Sequence, residues 1–137
     1  MTDYLTLTLD DKQLLAVSET ALAHVGDAVF ELLVRTEMCS TAAVPVKDLH
    51  RRTVERVTAP AQAAFVEAVL PHLTQQELTV YKRGRNAHTH AAPKSATPGQ
   101  YARATGLETL FGWLWLTGRK ERVSALYSLG KEAADAL

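Results

Sequence analysis

Two acids stand inside apolar stretches that read as helices, far apart in the chain. Asp27 lies in Ala21-Leu22-Ala23-His24-Val25-Gly26-Asp27-Ala28-Val29-Phe30-Glu31-Leu32-Leu33-Val34. Glu108 lies in Thr105-Gly106-Leu107-Glu108-Thr109-Leu110-Phe111-Gly112. A carboxylate in such a setting is costly to bury unless a partner offsets its desolvation. Each acid has a glycine nearby, Gly26 and Gly112, and a glycine inside a helix costs about 1 kcal/mol against alanine. Close approach of a second backbone would justify both. If the two helices cross at these glycines, Asp27 and Glu108 face each other, and two facing carboxylates repel unless a proton or a cation sits between them. Mg²⁺ is content with one or two carboxylates and several waters. The competing reading has both acids solvated, or paired with Arg35 and Arg103, and spacing alone leaves the two readings open. Glu31 lies one turn beyond Asp27, where it could support the site from behind, but it also precedes Arg35 by four residues, the favoured order for a helical ion pair.

Charge is distributed unevenly around a net value of zero. Residues 1–40 hold seven acids and two bases, whereas between Glu77 and Glu108 there is no acid and five bases: Lys82, Arg83, Arg85, Lys94 and Arg103. Bases at the end of a helix favour its C-terminal dipole, which accounts for Lys82-Arg83-Gly84-Arg85-Asn86 but not for Lys94, Arg103 or the missing acids. A phosphate-contacting strip of Lys82, Arg83, Arg85, Asn86 and Lys94 accounts for all of them. His88 and His90 lack further ligands nearby and read as a solvated loop. Of Trp113 and Trp115, one is expected in the core and the other at an interface.

The elements that must position these groups read as helical throughout, with no strand alternation and no hairpin signal. Ser18 or Thr20 caps a helix to about residue 38, with Leu22, Val25, Val29, Leu32 and Leu33 on its apolar face. Pro45 suits the first turn of a helix carrying Leu49, Val54 and Val57, and Pro60 opens another that Pro71 ends. Thr74-Gln75-Gln76-Glu77 is a capping box for a helix to about residue 87. A loop over 89–99 precedes helices over 101–117, ended by Gly118, and 119–136. The chain has 137 residues, enough for one domain with one core. No stretch approaches the roughly 20 apolar residues of a membrane span, and no signal peptide is visible. The single cysteine, Cys39, reads as a small buried hydrophobe and fits a reducing, cytoplasmic setting.

Three motifs in this order carry a family resemblance. Leu22-Ala23-His24-Val25-Gly26-Asp27-Ala28-Val29-Phe30-Glu31 resembles the signature helix of the ribonuclease III family, and Leu107-Glu108-Thr109-Leu110-Phe111-Gly112 its second catalytic helix. Lys82-Arg83-Gly84-Arg85-Asn86-Ala87, with the Pro93-Lys94 loop, is similar to the compact branch, Mini-ribonuclease III. The likeness runs over about residues 14–127. It implies an all-α helical bundle that forms a homodimer and cuts double-stranded RNA with Mg²⁺, or with Mn²⁺ as a substitute, leaving 5′-phosphate and 3′-hydroxyl ends. Asp27 and Glu108 fall on catalytic, metal-binding positions, and a ribosomal RNA precursor is the first expected substrate. Full-length relatives carry a Glu at the position of Ala23 and an Asp at that of Thr105, so each helix here offers one carboxylate of a usual pair. A non-catalytic, structural RNA-binding module on the same fold is the alternative. The chain leaves no room for the relatives' double-stranded-RNA-binding domain, so grip is expected from the basic strip and the dimer, whose contact is expected on the signature helix near Gly26.

Overall fold

The computed structural model describes residues 1–41, 43–87 and 94–135. Among the described residues every regular element is helical, as the spacing predicts. A single turn, α1 (Asp11–Leu15), precedes the long helix α2 (Glu19–Ser40). A 3₁₀ turn (Val46–Asp48) leads into α3 (Leu49–Val57), and α4 (Ala59–Val69) ends in a second 3₁₀ turn, Leu70–His72, which holds Pro71. Then come α5 (Gln75–Arg85), α6 (Pro98–Leu116) and α7 (Lys120–Asp135). No described helix is long and apolar enough to cross a membrane.

Caps set most of the boundaries. The Ser18 hydroxyl accepts the Ala21 N–H at 3.1 Å and opens α2. Thr74 and Glu77 form the expected box, at 3.1 and 2.9 Å. α6 begins at Pro98, ahead of the expected residue 101, because Thr97 and Gln100 make a second capping box. Gly118 ends α6 with φ +78°, the left-handed conformation that glycine adopts without strain. α1 went unpredicted; it buries nothing and is held by an Asp10–Gln13 box.

The core gathers Phe30, Phe65, Phe111 and Tyr127, with Phe30 and Phe65 edge to face at 5.3 Å. α2 buries Leu22, Gly26, Val29, Phe30, Val34 and Met38, so its inner face is rotated from the expected one. Val25 and Leu33 are only half-buried and Leu32 is 55% exposed. α2 is apolar around most of its circumference, so spacing did not fix which side turns inward. Val54 is likewise 45% exposed, while Thr53 and Arg56 are buried on α3, Arg56 because it meets Glu37 at 3.0 Å. Cys39 is exposed rather than buried, since it follows Met38 onto the outer side of α2. Trp113 is core and Trp115 half-buried.

α2 and α6 cross at the two glycines. A Cβ on Gly26 would stand 1.6 Å from the carbonyl oxygen of Glu108, and one on Gly112 would stand 1.9 Å from that of Leu22. Gly26 therefore faces its own chain, and a larger side chain there attacks the fold itself. Gly26→Ala is expected to lower unfolding free energy by about 3 kcal/mol in denaturant titration, because backbone must move apart. Gly99→Ala, whose Cβ would find its nearest neighbour at 3.9 Å, is expected to change it by less than about 0.5 kcal/mol.

Candidate active site

The crossing sets Asp27 of α2 and Glu108 of α6 on one cleft of about 310 Å³. Its α2 wall adds Thr20, Ala23 and His24, and its α6 wall adds Tyr101 and Thr105. Ala87, just beyond α5, closes the rim. Asp27 is exposed and lies at the open side of the cleft. Glu108 is the half-buried partner.

Burial, then a hydrogen bond with Asp27 and the repulsion of its charge, push the Glu108 carboxyl up to about 9. A side-chain hydrogen bond from Gln62 opposes this by favouring the carboxylate. Near neutral pH, Glu108 thus holds a proton between the two acids. Of the two readings left open, the one in which the acids share a crossing is the one in the structure. Gln62 was not anticipated. It is 3% exposed on α4, in Ala59-Pro60-Ala61-Gln62-Ala63-Ala64-Phe65-Val66. The legible signal was a polar residue one turn before Phe65 and Val66, on the face that enters the core.

The other candidate residues lie around the cleft rather than in it. Glu31 pairs with Arg35 at 3.1 Å, so Arg35 is engaged there and not with Asp27. Lys82 and Asn86 are exposed one turn apart at the end of α5. Arg83 is exposed beside a different hollow, toward Leu14 and Leu15. The Arg85 guanidinium stands 5.8 Å from the Tyr81 ring and its Nε donates to Asn86 at 3.3 Å. Lys94 is exposed in the loop before α6. The basic residues thus fan around α5 instead of forming one straight strip. His88, His90 and Pro93 lie outside the described residues.

The cleft's two acids, Asp27 and Glu108, offer carboxylate oxygens, which suit a hard cation such as Mg²⁺ or Mn²⁺. Among the described residues no group of three or more His, Cys, Asp or Glu is arranged to hold a metal. Ala23 and Thr105, the positions at which the family resemblance implies further acids, line this cleft, so it offers two carboxylates.

Residues 20–119 match the family model of the Ribonuclease III domain. A Mini-ribonuclease 3 of Symbiobacterium thermophilum is 47% identical over 80% of this chain and 85% of its own. One from Thermoanaerobacter is 35% identical over 95% of this chain and 92% of its own. A crystal structure of a Fusobacterium nucleatum protein superposes with a TM-score of 0.76 at 25% identity, covering 85% of this chain and 93% of that one.

The raised Glu108 carboxyl has a consequence for stability. A group whose folded-state value exceeds its unfolded value stabilises the fold fully below the unfolded value, and that contribution is lost as pH rises through the folded one. The window runs from the ordinary 4.5 up to about 9. Between those limits the unmodified protein is expected to lose stability with rising pH in excess of Glu108→Gln, which has no proton to release. Denaturant titrations of both proteins across the window check this; parallel pH profiles would refute the shared proton.

Proposed function

Because the chain belongs to the ribonuclease III family, in its Mini-ribonuclease 3 branch, we propose that it is a Mg²⁺-dependent endoribonuclease that cuts double-stranded or structured RNA at the Asp27–Glu108 cleft. One observation carries the reading. Two acids about 80 residues apart are brought together by a glycine crossing, on one open cleft where each disfavours the charge of the other. A structural pair would have been neutralised by a base; this pair keeps a place that a cation can take.

Asp27 and Glu108 would hold Mg²⁺ or, as a substitute, Mn²⁺, with water filling the remaining positions. Bound there, the cation supplies Lewis acidity, activating water and offsetting charge on the scissile phosphate. The chain's own residues do the rest. Glu108 would release its proton when a cation is held, freeing its carboxylate to bind. Asp27, open to solvent, stands where the phosphate and the attacking water arrive. In-line attack on phosphorus breaks the bond to the 3′ oxygen and leaves 5′-phosphate and 3′-hydroxyl ends.

Lys82 and Asn86 are exposed at the end of α5, next to Ala87 on the cleft rim, and Arg83, Arg85 and Lys94 complete the candidate set. They would follow RNA phosphates, and since A-form duplexes are recognised mostly by shape and 2′-hydroxyls, sequence preference is loose. A structured ribosomal RNA precursor fits that requirement, and the work would belong to the cytoplasm.

A second copy completes the enzyme. On the outer side of α2, an apolar hollow of about 340 Å³ is formed by Val25, Ala28, Leu32 and Trp115. His24 lines both this hollow and the cleft, so the two features are continuous. A two-fold pair of α2 helices would cover the hollow and set two clefts side by side, one for each strand of a duplex.

Purified protein with end-labelled duplex RNA and Mg²⁺ is expected to cut, and Asp27→Asn or Glu108→Gln to lose more than about 100-fold in rate. Salt-sensitive binding without cleavage, in Mg²⁺ and in Mn²⁺, would instead favour a structural RNA-binding module; the loss of acids at Ala23 and Thr105 would then be its cause. Sedimentation of Leu32→Asp is expected to give a folded monomer where the unmodified protein is a dimer. A dimer that survives this change would place the contact elsewhere.

A further inference from the structure

The acids occupy one end of the cleft, and the rest of its walls carries hydroxyl groups. Along α2 the lining residues are Thr20, then Ala23 and His24, then Asp27; along α6 they are Tyr101, Thr105 and Glu108. Each row advances by about one helical turn per step. Thr20 and Tyr101 therefore stand two turns, about 10 Å along each axis, before the acids. Asp27 and Glu108 are the lining residues nearest the glycine crossing, so the rows run outward from it. Among the described residues that line the cleft there is no lysine or arginine. A strand lying in it must be held there without a guanidinium or an ammonium, and the polar groups present are His24 and the hydroxyls of Thr20, Tyr101 and Thr105.

These hydroxyls are not equivalent. Thr105 donates to the Tyr101 carbonyl at 3.0 Å, so its hydroxyl is engaged within α6. Thr20 is exposed in the first turn of α2, on a short side chain. Tyr101 is half-buried, and its phenol has no hydrogen-bond partner among the described residues. Its backbone is fixed, since the Tyr101 N–H bonds the carbonyl of the cap residue Thr97 at 3.0 Å. A phenol both donates and accepts. A phosphate oxygen only accepts, whereas a ribose 2′-hydroxyl does both, and it is the group by which a protein distinguishes RNA from DNA at a given position. We propose that Tyr101 is a specificity-determining residue of the cleft, its phenol hydroxyl bonding the ribose 2′-hydroxyl of a nucleotide that flanks the scissile phosphate. The inference rests on the proposed cleavage of RNA at Asp27 and Glu108. Because Tyr101 and Glu108 share one rigid helix, the ribose that is read lies at a set distance from the bond that is cut.

The test compares the unmodified protein with Tyr101→Phe, which keeps the ring and removes only the hydroxyl, so the fold is retained. The substrates are one RNA duplex and a set of its copies, each with a single 2′-fluoro nucleotide at successive positions on either side of the cut. Fluorine removes the donor while keeping the ribose pucker, so the shape of the duplex is preserved. A neutral hydrogen bond of this kind is worth about 3- to 10-fold in kcat/KM. Tyr101→Phe is expected to lose that factor on the all-ribose duplex. At one position, 2′-fluoro is expected to cost the unmodified protein the same factor and Tyr101→Phe nothing further, the pattern of two groups that act only through each other. A merely structural role for the phenol would lower the rate on every duplex alike. Cleavage of the all-ribose duplex by Tyr101→Phe at an undiminished rate, or a 2′-fluoro penalty equal in both proteins at every position, would overturn the role of Tyr101 and leave the nuclease reading intact. Should the unmodified protein bind the duplex without cutting it, the same comparison is made in Kd by fluorescence anisotropy. The position-specific pattern there would uphold Tyr101 as a ribose reader while overturning cleavage, and its absence would overturn both. A chain that neither binds nor cuts duplex RNA would likewise overturn both.

Discussion

The contact on which the rest of the molecule depends is backbone against backbone, where α2 crosses α6. Side chains normally hold helix axes apart, and here two glycines remove that spacing from both sides of the crossing. Gly26 lies against the Glu108 carbonyl and Gly112 against the Leu22 carbonyl, so each helix is seated in a notch of the other. The notches also fix register. Asp27 follows Gly26 directly, and Gly112 comes one turn after Glu108, so seating the glycines brings the acids together without further adjustment. α5 is fitted to α6 by the same device, Gly84 against Thr109 and Gly106 against Tyr81. This carries the basic end of α5 to the rim of the cleft.

Polar pairs in the outer layer secure the helices that flank the crossing. Glu37 of α2 accepts from Arg56 of α3 at 3.0 Å and from the Tyr127 hydroxyl of α7 at 2.6 Å, with Lys131 at 3.6 Å. Burial, together with the Glu37 carboxylate, holds the Tyr127 phenol firmly protonated. On the opposite flank Arg122 of α7 grips Glu77 of α5 at 2.8 Å and the His72 carbonyl at 2.6 Å. That pairing brings Glu77 below its ordinary value although burial alone would raise it. The contrast with Glu108 is instructive. Both are acids at least partly withdrawn from water, but Glu77 has a guanidinium to stabilise its charge, and Glu108 has another acid.

What could be read from the sequence followed from local rules. The all-helical class, the Ser18 and Thr74 caps, the stop at Gly118 and the crossing at Gly26 and Gly112 each depend on residue type and near spacing, and each is in the structure. What could not be read depended on which elements pack together. The inner face of α2 was misjudged at Leu32 because an almost wholly apolar helix carries no direction in its pattern. The fan of Lys82, Arg83 and Arg85 looked like a strip in a linear text, but successive helical residues point about 100° apart. Gln62 was invisible for the same reason: only the docking of α4 buries it.

The thinning of the cleft has its own electrostatic logic. Each further carboxylate at Ala23 or Thr105 would strengthen the hold on a cation, yet would also add repulsion whenever the cation is absent. With only Asp27 and Glu108, a proton on Glu108 relieves the repulsion of the pair. Such a cleft need not rely on metal to remain folded, and it repels an approaching phosphate less than a four-acid site would. The cost falls on affinity, because a cation with two protein carboxylates keeps most of its water and is held loosely. On the proposed reading, the phosphate oxygens of a bound strand provide ligands that the protein omits. Metal and RNA would then assist each other's binding, by the same factor in either order.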